Sequence, residues 1–165
     1  MLARLRCSMS SSPSVKDNPL LGTWKLISAT ATNPDGTIDP DVYGSNPTGY
    51  ITYTPERRIM VIFSKCDRLP LNGDINSPFS KQIQSLPQQE CVQAFSTFNA
   101  YAGIYTIDGN TVTHHVEVAS IPNRVGTDLV RTFTLKGKQV TLKTLPTKID
   151  GVEKVLELVW ERVES

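Results

Sequence analysis

Four side chains with acid–base or hydrogen-bonding chemistry fall in three consecutive strand-like segments. Tyr101 and Tyr105 lie in the first segment, His114 in the second and Arg131 in the third. Imidazole can take up or release a proton near neutral pH, phenols can donate to a carbonyl oxygen, and a guanidinium binds anionic oxygens. Together these residue types predict a site for a small molecule that carries an oxygen.

The alternation of apolar residues predicts that His114 points into the protein. Side chains alternate across a strand, and His114 shares a face with Val112, Val116 and Val118, whereas His115 falls on the outer face. Two adjacent histidines on opposite faces cannot bind one metal ion, and no third ligand stands at metal spacing. We therefore expect no metal and no other cofactor.

Arg131 also points inward, because it alternates in step with Leu129, Phe133 and Leu135. A guanidinium does not lose its proton, and an unpaired one inside an apolar lining is costly. Arg131 therefore needs a partner, which the sequence leaves open: a phenol, a water, the ligand or a loop carboxylate. The loop carboxylates considered are Asp67, Asp74 and Glu90.

Strand pairing brings these side chains together. A turn centred on Pro122-Asn123 predicts that His114 lies opposite Arg131, and the preceding hairpin places Tyr101 and Tyr105 inside as well. The candidate catalytic residues are His114, Tyr105 and Arg131. The candidate ligand-binding residues are Tyr101, Tyr105, His114, Arg131, Phe133 and Leu129. Other residues predicted to point inward are Trp24, Leu26, Ser28, Val140, Leu142, Leu156, Leu158, Trp160 and Arg162.

Segments rich in β-branched and aromatic residues, separated by turn residues, predict the all-β meander that positions this site. The predicted strands are 23–32, 49–54, 58–65, 101–108, 111–120, 127–136, 139–144 and 155–163. About eight antiparallel strands in sequential order close into an up-and-down barrel around one small ligand or a packed interior. Gly109 and Gly137 predict two tight hairpins, since glycine accepts a positive φ.

Residues 66–99 break the strand pattern. Their prolines and glycine indicate a long loop, after which Ser85 and Gln88 have the spacing of a capping box around Pro87. Apolar residues at helical spacing follow, so we expect a short helix that covers one end of the barrel.

Length and composition limit the organisation and the partners. A chain of 165 residues fits one core, with a disordered tail over 1–19 and the barrel domain over 20–165. Lys and Arg (17) nearly balance Asp and Glu (16), which argues against nucleic acid or a membrane surface as a partner. No apolar run is long enough to span a bilayer or to act as a secretory signal, so we expect a cytoplasmic protein, with an organelle presequence around Arg4 and Arg6 as the alternative.

Several motifs resemble a known family. Gly22-Thr23-Trp24 resembles the Gly-x-Trp opening of lipocalin and calycin barrels, and Arg162 stands where those barrels have an arginine that packs on this tryptophan. Further matching segments are Asn46 to Ile51, Tyr101 to Tyr105, Val112 to Val118 and Val125 to Thr127. From Leu20 to Val163 the chain resembles the bacterial and fungal lipocalin-like domain proteins. The resemblance implies the barrel and a structural cation–π contact between Arg162 and Trp24.

Two features depart from that family pattern. Arg124 stands in a loop where the resemblance leads us to expect an aromatic residue, and the insert 66–99 is individual to this chain. The resemblance therefore does not carry a ligand identity with it, because fold alone does not fix function.

Three functions remain open at this point. The first is an enzyme of polyketide-type secondary metabolism, in which Arg131 and a tyrosine polarise an oxygen while His114 moves a proton in a cyclisation, isomerisation or dehydration without a cofactor. The second is a carrier of a small hydrophobic carboxylate or carbonyl compound, in which Arg131 anchors the ligand and nothing reacts. The third is a structural barrel with a filled interior.

Overall fold

The computed structural model describes residues 18–164 of the chain. Of the predicted tail, only Asn18 and Pro19 fall within this range, and the rest lies outside the described residues. The Asn18 side-chain amide donates to the Tyr105 hydroxyl at 2.7 Å, and the Pro19 carbonyl accepts from Arg162 at 2.9 Å. The start of the described chain is therefore attached to the barrel.

Among the described residues, the backbone forms ten strands and one α-helix. The strands are β1 (Gly22–Thr32), β2 (Ile38–Asp39), β3 (Thr48–Tyr53), β4 (Arg58–Ser64), β5 (Phe98–Asp108), β6 (Thr111–Ala119), β7 (Asp128–Lys136), β8 (Gln139–Thr144), β9 (Thr147–Ile149) and β10 (Val152–Arg162). The helix is α1 (Gln88–Ser96), and short 3₁₀ helices span Lys81–Ser85 and Pro122–Arg124.

The eight longer strands form a closed antiparallel barrel, which confirms the predicted fold. They pair in the order β1, β3, β4, β5, β6, β7, β8, β10, and β10 then pairs with β1. The sequence did not predict β2 and β9, which are short and pair with the outer ends of β1 and β10. Closure leaves the longer strands without a free edge.

Two hairpins were predicted correctly from their glycines. Gly109 and Gly137 adopt φ values of 57° and 61° in the turns between β5 and β6 and between β7 and β8. Both turns lie at the same end of the barrel, which the chain ends of β1 and β10 also approach.

A β-bulge in β6 corrects the predicted face of Val118, whose side chain is 61% exposed. The pairing of β6 with β5 skips Glu117, and an extra residue moves every later side chain to the other face. Gly103 lies opposite the bulge, where a Cβ atom would come within 1.9 Å of the His115 carbonyl oxygen. A glycine is therefore required at this close approach.

A second bulge, in β1, corrects the prediction that Ser28 points inward. The pairing of β1 with β10 shifts between Leu26 and Ser28. Beyond this shift Ala29 and Ala31 occupy the interior, each 2% exposed. The sequence pattern alone did not indicate the change, because Ser28 and the two alanines are all small enough for either face.

The predicted register between β6 and β7 is wrong by two residues. His114 lies opposite Leu129, and Val112 lies opposite Arg131. The connection folds into the 3₁₀ helix Pro122–Arg124 instead of a turn centred on Pro122-Asn123. Because a shift of two preserves the alternation, His114 and Arg131 both still point inward.

The helix lies at one end of the barrel, as expected, but its start differs from the prediction. Pro87 precedes the first turn of α1 and offers no capping side chain, while Ser85 belongs to the preceding 3₁₀ helix. The backbone N–H of Lys65 donates to the Thr97 carbonyl at 3.0 Å and fastens this segment beside β4 and β5.

Trp24 and Arg162 seal the opposite end of the barrel, which we call the closed end. The guanidinium carbon of Arg162 lies 4.0 Å from the centroid of the Trp24 ring, which confirms the predicted cation–π contact. Arg162 also donates to the Leu21 carbonyl at 2.6 Å, and the Trp24 indole donates to the Leu20 carbonyl at 2.8 Å. The polar groups at this end are therefore satisfied by the chain itself.

Candidate functional site

A cavity opens at the end of the barrel away from Trp24 and Arg162. Its volume is about 70 Å³, where one bound water needs about 10–15 Å³. The cavity therefore has room for several waters or for the oxygen-bearing part of a small organic molecule. It is lined by Tyr43, Ile51, Val61, Phe63, Asn99, Tyr101, Arg124, Arg131, Leu142, Thr144, Leu156, Leu158 and Trp160.

Arg131 faces this cavity with little of its hydrogen-bonding capacity used. Among residues 18–164 its one hydrogen bond runs from Nη1 to the carbonyl of Val130, at 2.9 Å. No carboxylate of the described chain lies within ion-pair distance of it, and Glu90 is bonded to Asn72 instead. Burial lowers the pKa of Arg131, but a guanidinium remains charged at neutral pH. Most of its N–H groups are left for another partner.

Arg124 supplies a second guanidinium, which we did not predict as a site residue. It lies at the end of the 3₁₀ helix Pro122–Arg124 and donates from Nη1 to Asn99 Oδ1 at 2.7 Å. Its position at the cavity could not be read from the alternation of a strand, because it lies in a loop. The only sequence signal was that a charged residue stands where an aromatic one was expected.

The indole N–H of Trp160 is a buried donor without an acceptor. Trp160 is 1% exposed and lines the cavity, and within the described part of the chain its Nε1 atom has no hydrogen-bond partner. Buried donors in proteins are almost always paired, so an unpaired one indicates a missing partner. The sequence predicted Trp160 to point inward, but the unpaired N–H is visible only in three dimensions.

His114 lies beneath the cavity lining, between two phenols. Its Nε2 atom is 2.9 Å from the Tyr53 hydroxyl, and its Nδ1 atom is 2.9 Å from the Tyr101 hydroxyl. The ring is 1% exposed, and burial, assisted by the charge of Arg131, lowers the pKa of His114 from 6.5 to about 3. His114 is therefore neutral at physiological pH and connects to the cavity through Tyr101.

The structure separates the remaining predicted site residues from the cavity. Tyr105 lies nearer the closed end, where its hydroxyl donates to the Thr54 carbonyl at 2.8 Å. Phe133 is 8% exposed and belongs to the hydrophobic core, and Leu129 packs against that core. Of the six predicted binding residues, Tyr101 and Arg131 line the cavity, and the other four surround the interior below it.

The outer histidine has a separate set of contacts. His115 faces outward, as predicted, and its ring nitrogens lie 2.7 Å from Asp128 Oδ1 and 3.0 Å from Thr106 Oγ1.

Over the described range, no three His, Cys, Asp or Glu side chains cluster in a way that could hold a metal ion. No helix between residues 18 and 164 has the length and apolar character needed to cross a bilayer.

Comparison with known proteins agrees with the barrel. The family described as "Lipocalin-like domain" matches residues 21–163. One curated relative is a 4'-hydroxy-3'-methoxypropiophenone carrier protein from Aspergillus oryzae, 32% identical over an alignment of 92 residues that covers 50% of this chain and 83% of that protein. The family match spans the whole barrel, from the Gly-x-Trp strand to the final arginine. The chain therefore belongs to the lipocalin-like domain family.

Proposed function

We propose that the protein is a carrier that holds a small, largely apolar molecule in its cavity and does not transform it. The observation that carries this proposal is Arg131, a charged group that faces an apolar cavity without a carboxylate from the described chain. A ligand oxygen, carbonyl or anionic, would satisfy both the guanidinium and the unpaired indole N–H of Trp160. The apolar lining would hold the rest of the molecule.

The similarity to an aryl ketone carrier supports the same conclusion. That relative is named for a propiophenone, which combines an aromatic ring with a carbonyl and further oxygen substituents. Such a molecule offers an apolar body together with acceptor oxygens, as this cavity requires. That the ligand comes from polyketide-type metabolism stays a prediction, which the genes neighbouring this one would test.

The enzymatic hypothesis has weaker support. General acid–base catalysis requires a group that reaches the substrate and titrates near the working pH. Both nitrogens of His114 are occupied by phenols, the ring does not line the cavity, and its pKa of about 3 leaves the acidic imidazolium form unpopulated at neutral pH. Tyr101 and Arg131 can bind and orient an oxygen, but neither accepts a proton readily in this state. We therefore favour binding without a reaction.

The proposal can be tested with 4'-hydroxy-3'-methoxypropiophenone as the probe. Binding is followed by tryptophan fluorescence, to which both Trp24 and Trp160 contribute, and independently by calorimetry. Arg131→Met keeps an unbranched apolar stem but removes the guanidinium donors, and it should weaken binding by about 10- to 100-fold, the range for hydrogen bonds to a charged group. Arg58→Met is the matched control, because Arg58 pairs with Glu117 on the outer surface at 2.7 Å.

Two results would contradict the carrier function. Equal binding by wild type and Arg131→Met would place the ligand elsewhere. Conversion of the probe during incubation, seen by mass spectrometry and lost in His114→Gln, would restore the enzymatic hypothesis. The expected result is recovery of the probe unchanged, with reduced retention by the Arg131 variant alone.

A further inference from the structure

Tyr53 is a buried phenol that is hydrogen-bonded to the histidine beneath the cavity. It lies on β3, is 1% exposed and does not line the cavity. Within residues 18–164, the hydroxyl of Tyr53 has one hydrogen-bond partner, the Nε2 atom of His114. The sequence analysis did not single out this residue, because it assigned no inward face to β3.

The protons in this buried chain can be assigned by counting donors and acceptors. Burial raises the pKa of Tyr53 and of Tyr101, so both phenols keep their protons, and the buried His114 is neutral with one N–H. The Tyr53 proton needs an acceptor, and Nε2 of His114 is the acceptor available to it. If Nε2 carried the ring proton instead, the hydroxyl proton of Tyr53 would be buried without a partner, which is unfavourable.

The position of the ring proton then fixes the role of Tyr101. With Nε2 accepting from Tyr53, the proton of His114 must sit on Nδ1, which lies 2.9 Å from the Tyr101 hydroxyl oxygen. Nδ1 therefore donates to Tyr101, and the proton of Tyr101 is not used within the chain. Tyr101 lines the cavity, so this proton is available to whatever occupies it.

The other polar groups of the cavity are also mostly donors. Trp160 and Arg131 have unused N–H groups, and Arg124 adds a second guanidinium. The side-chain oxygens of Asn99 and Thr144 already accept, from Arg124 and from the Leu156 backbone respectively. None of the described residues that line the cavity is an aspartate or a glutamate.

We infer that the cavity is a donor-rich site that selects ligands by their acceptor oxygens, and that Tyr53, acting through the tautomer of His114, makes Tyr101 one of its donors. This inference rests on the proposed binding function and defines its ligand class: ketones, phenolates or carboxylates on an apolar body, with amines excluded. Tyr53 and His114 are positioning residues, since neither lines the cavity.

The tautomer is tested first, without any ligand. Two-bond proton–nitrogen correlation spectra of the labelled protein distinguish a protonated Nδ1 from a protonated Nε2. His114 should show its proton on Nδ1, and Tyr53→Phe should remove that preference, while His115 on the outer face keeps its signals in both proteins. A wild-type His114 protonated on Nε2 would overturn the inference, whatever the protein binds.

The ligand class is tested with a pair of probes that differ in one oxygen. Propiophenone has a carbonyl acceptor, and propylbenzene has a similar shape without it. Wild type should bind propiophenone at least about 10-fold more tightly. Tyr53→Phe and Tyr101→Phe should each reduce this ratio severalfold, while Tyr50→Phe, which changes an exposed phenol on the same strand, should leave it unaltered.

The outcomes separate the inference from the proposed function. Equal binding of the two probes to wild type would overturn the donor-rich site and leave the carrier function standing. Failure of both probes to bind wild type would overturn the carrier function for this ligand class, and the nitrogen spectra would still decide the tautomer. If Tyr53→Phe does not fold, the ratio for Tyr101→Phe decides whether this hydroxyl is a donor to the ligand.

Discussion

The barrel contains two inward-facing tryptophans and two inward-facing arginines, and the closed end and the cavity use them differently. At the closed end, Trp24 donates to the Leu20 carbonyl and stacks under Arg162, which donates to backbone carbonyls in turn. In the cavity, the Trp160 indole has no partner in the described chain, and Arg131 bonds only to the adjacent Val130 carbonyl.

The difference separates residues that stabilise the barrel from residues of the same type that we propose bind the ligand. Trp24 and Arg162 complete each other and leave nothing for a ligand to satisfy. Trp160 and Arg131 are held in place by the barrel but have unused donors, and buried donors without partners lower stability. Such donors are compatible with function where another molecule supplies the missing acceptor. We therefore expect mutations at the closed end to reduce stability more than binding, and mutations in the cavity to reduce binding more than stability.

The largest effect should come from Trp24→Ala. Trp24 is fully buried, so its removal leaves a large cavity and takes away the ring beneath Arg162, and the free energy of unfolding should fall by about 3–5 kcal/mol. Urea unfolding measures this loss. Molecules that still fold should bind the probe as wild type does, because Trp24 does not line the cavity. A lower affinity per folded molecule would show that the closed end and the cavity are coupled.

An intermediate effect should appear on acidification, through the histidine that lies between the two ends. Burial depresses the pKa of His114 from 6.5 to about 3, so between these values the unfolded chain takes up a proton that the folded barrel does not. Stability should therefore decrease as the pH falls from about 6.5 towards 3, by up to about 1.4 kcal/mol per pH unit from this group.

The contribution of His114 is separated from that of the carboxylates by comparing variants. The pH dependence of the unfolding free energy should be shallower in His114→Gln than in wild type. Equal slopes in the two proteins would show that His114 titrates normally in the folded state.

The smallest change in stability should come from Trp160→Phe. The variant loses an indole N–H that bonds to nothing in the described chain and part of a buried ring that already borders the cavity, so the free energy of unfolding should fall by only about 1–2 kcal/mol. Trp24→Phe, the matched substitution at the closed end, removes a hydrogen bond and the ring beneath Arg162 and should cost more. Probe binding should fall severalfold in Trp160→Phe only; the reverse order of stabilities would contradict the assignment of the two ends.

The sequence predicted the barrel well because its signals are local and repeated. The Gly-x-Trp strand, the final arginine, the alternation in each strand and the two glycine hairpins all indicate the same fold. The wrong faces and the wrong register have a common cause: a single extra residue or an unexpected turn changes the alternation or the pairing of the strands. The bulges at Glu117 and before Ser28 reverse the faces of later residues, and neither has a marker in the sequence beyond Gly103.

The site was harder to predict than the fold because it depends on contacts across the barrel. The inward direction of Arg131, His114 and Tyr101 followed from alternation and survived a register error of two residues. Arg124 reaches the cavity from a loop, and Tyr53 meets His114 from a distant strand, so neither follows from spacing along the chain. That Trp160 lacks an acceptor is a property of its surroundings, which no pattern in one strand records.

The pairing of the first strand with the last also constrains how the protein folds. The bond between Arg162 and the Leu21 carbonyl joins positions 141 residues apart, and β1 pairs with β10 from Trp24 to Thr32 on either side of the bulge. During synthesis β1 has no closing partner until β10 has left the ribosome, so a nascent barrel exposes two unpaired edges. We expect the pairing of β1 with β10 to be the slow step of folding, because it brings together segments that are far apart in the chain and so has a high entropic cost.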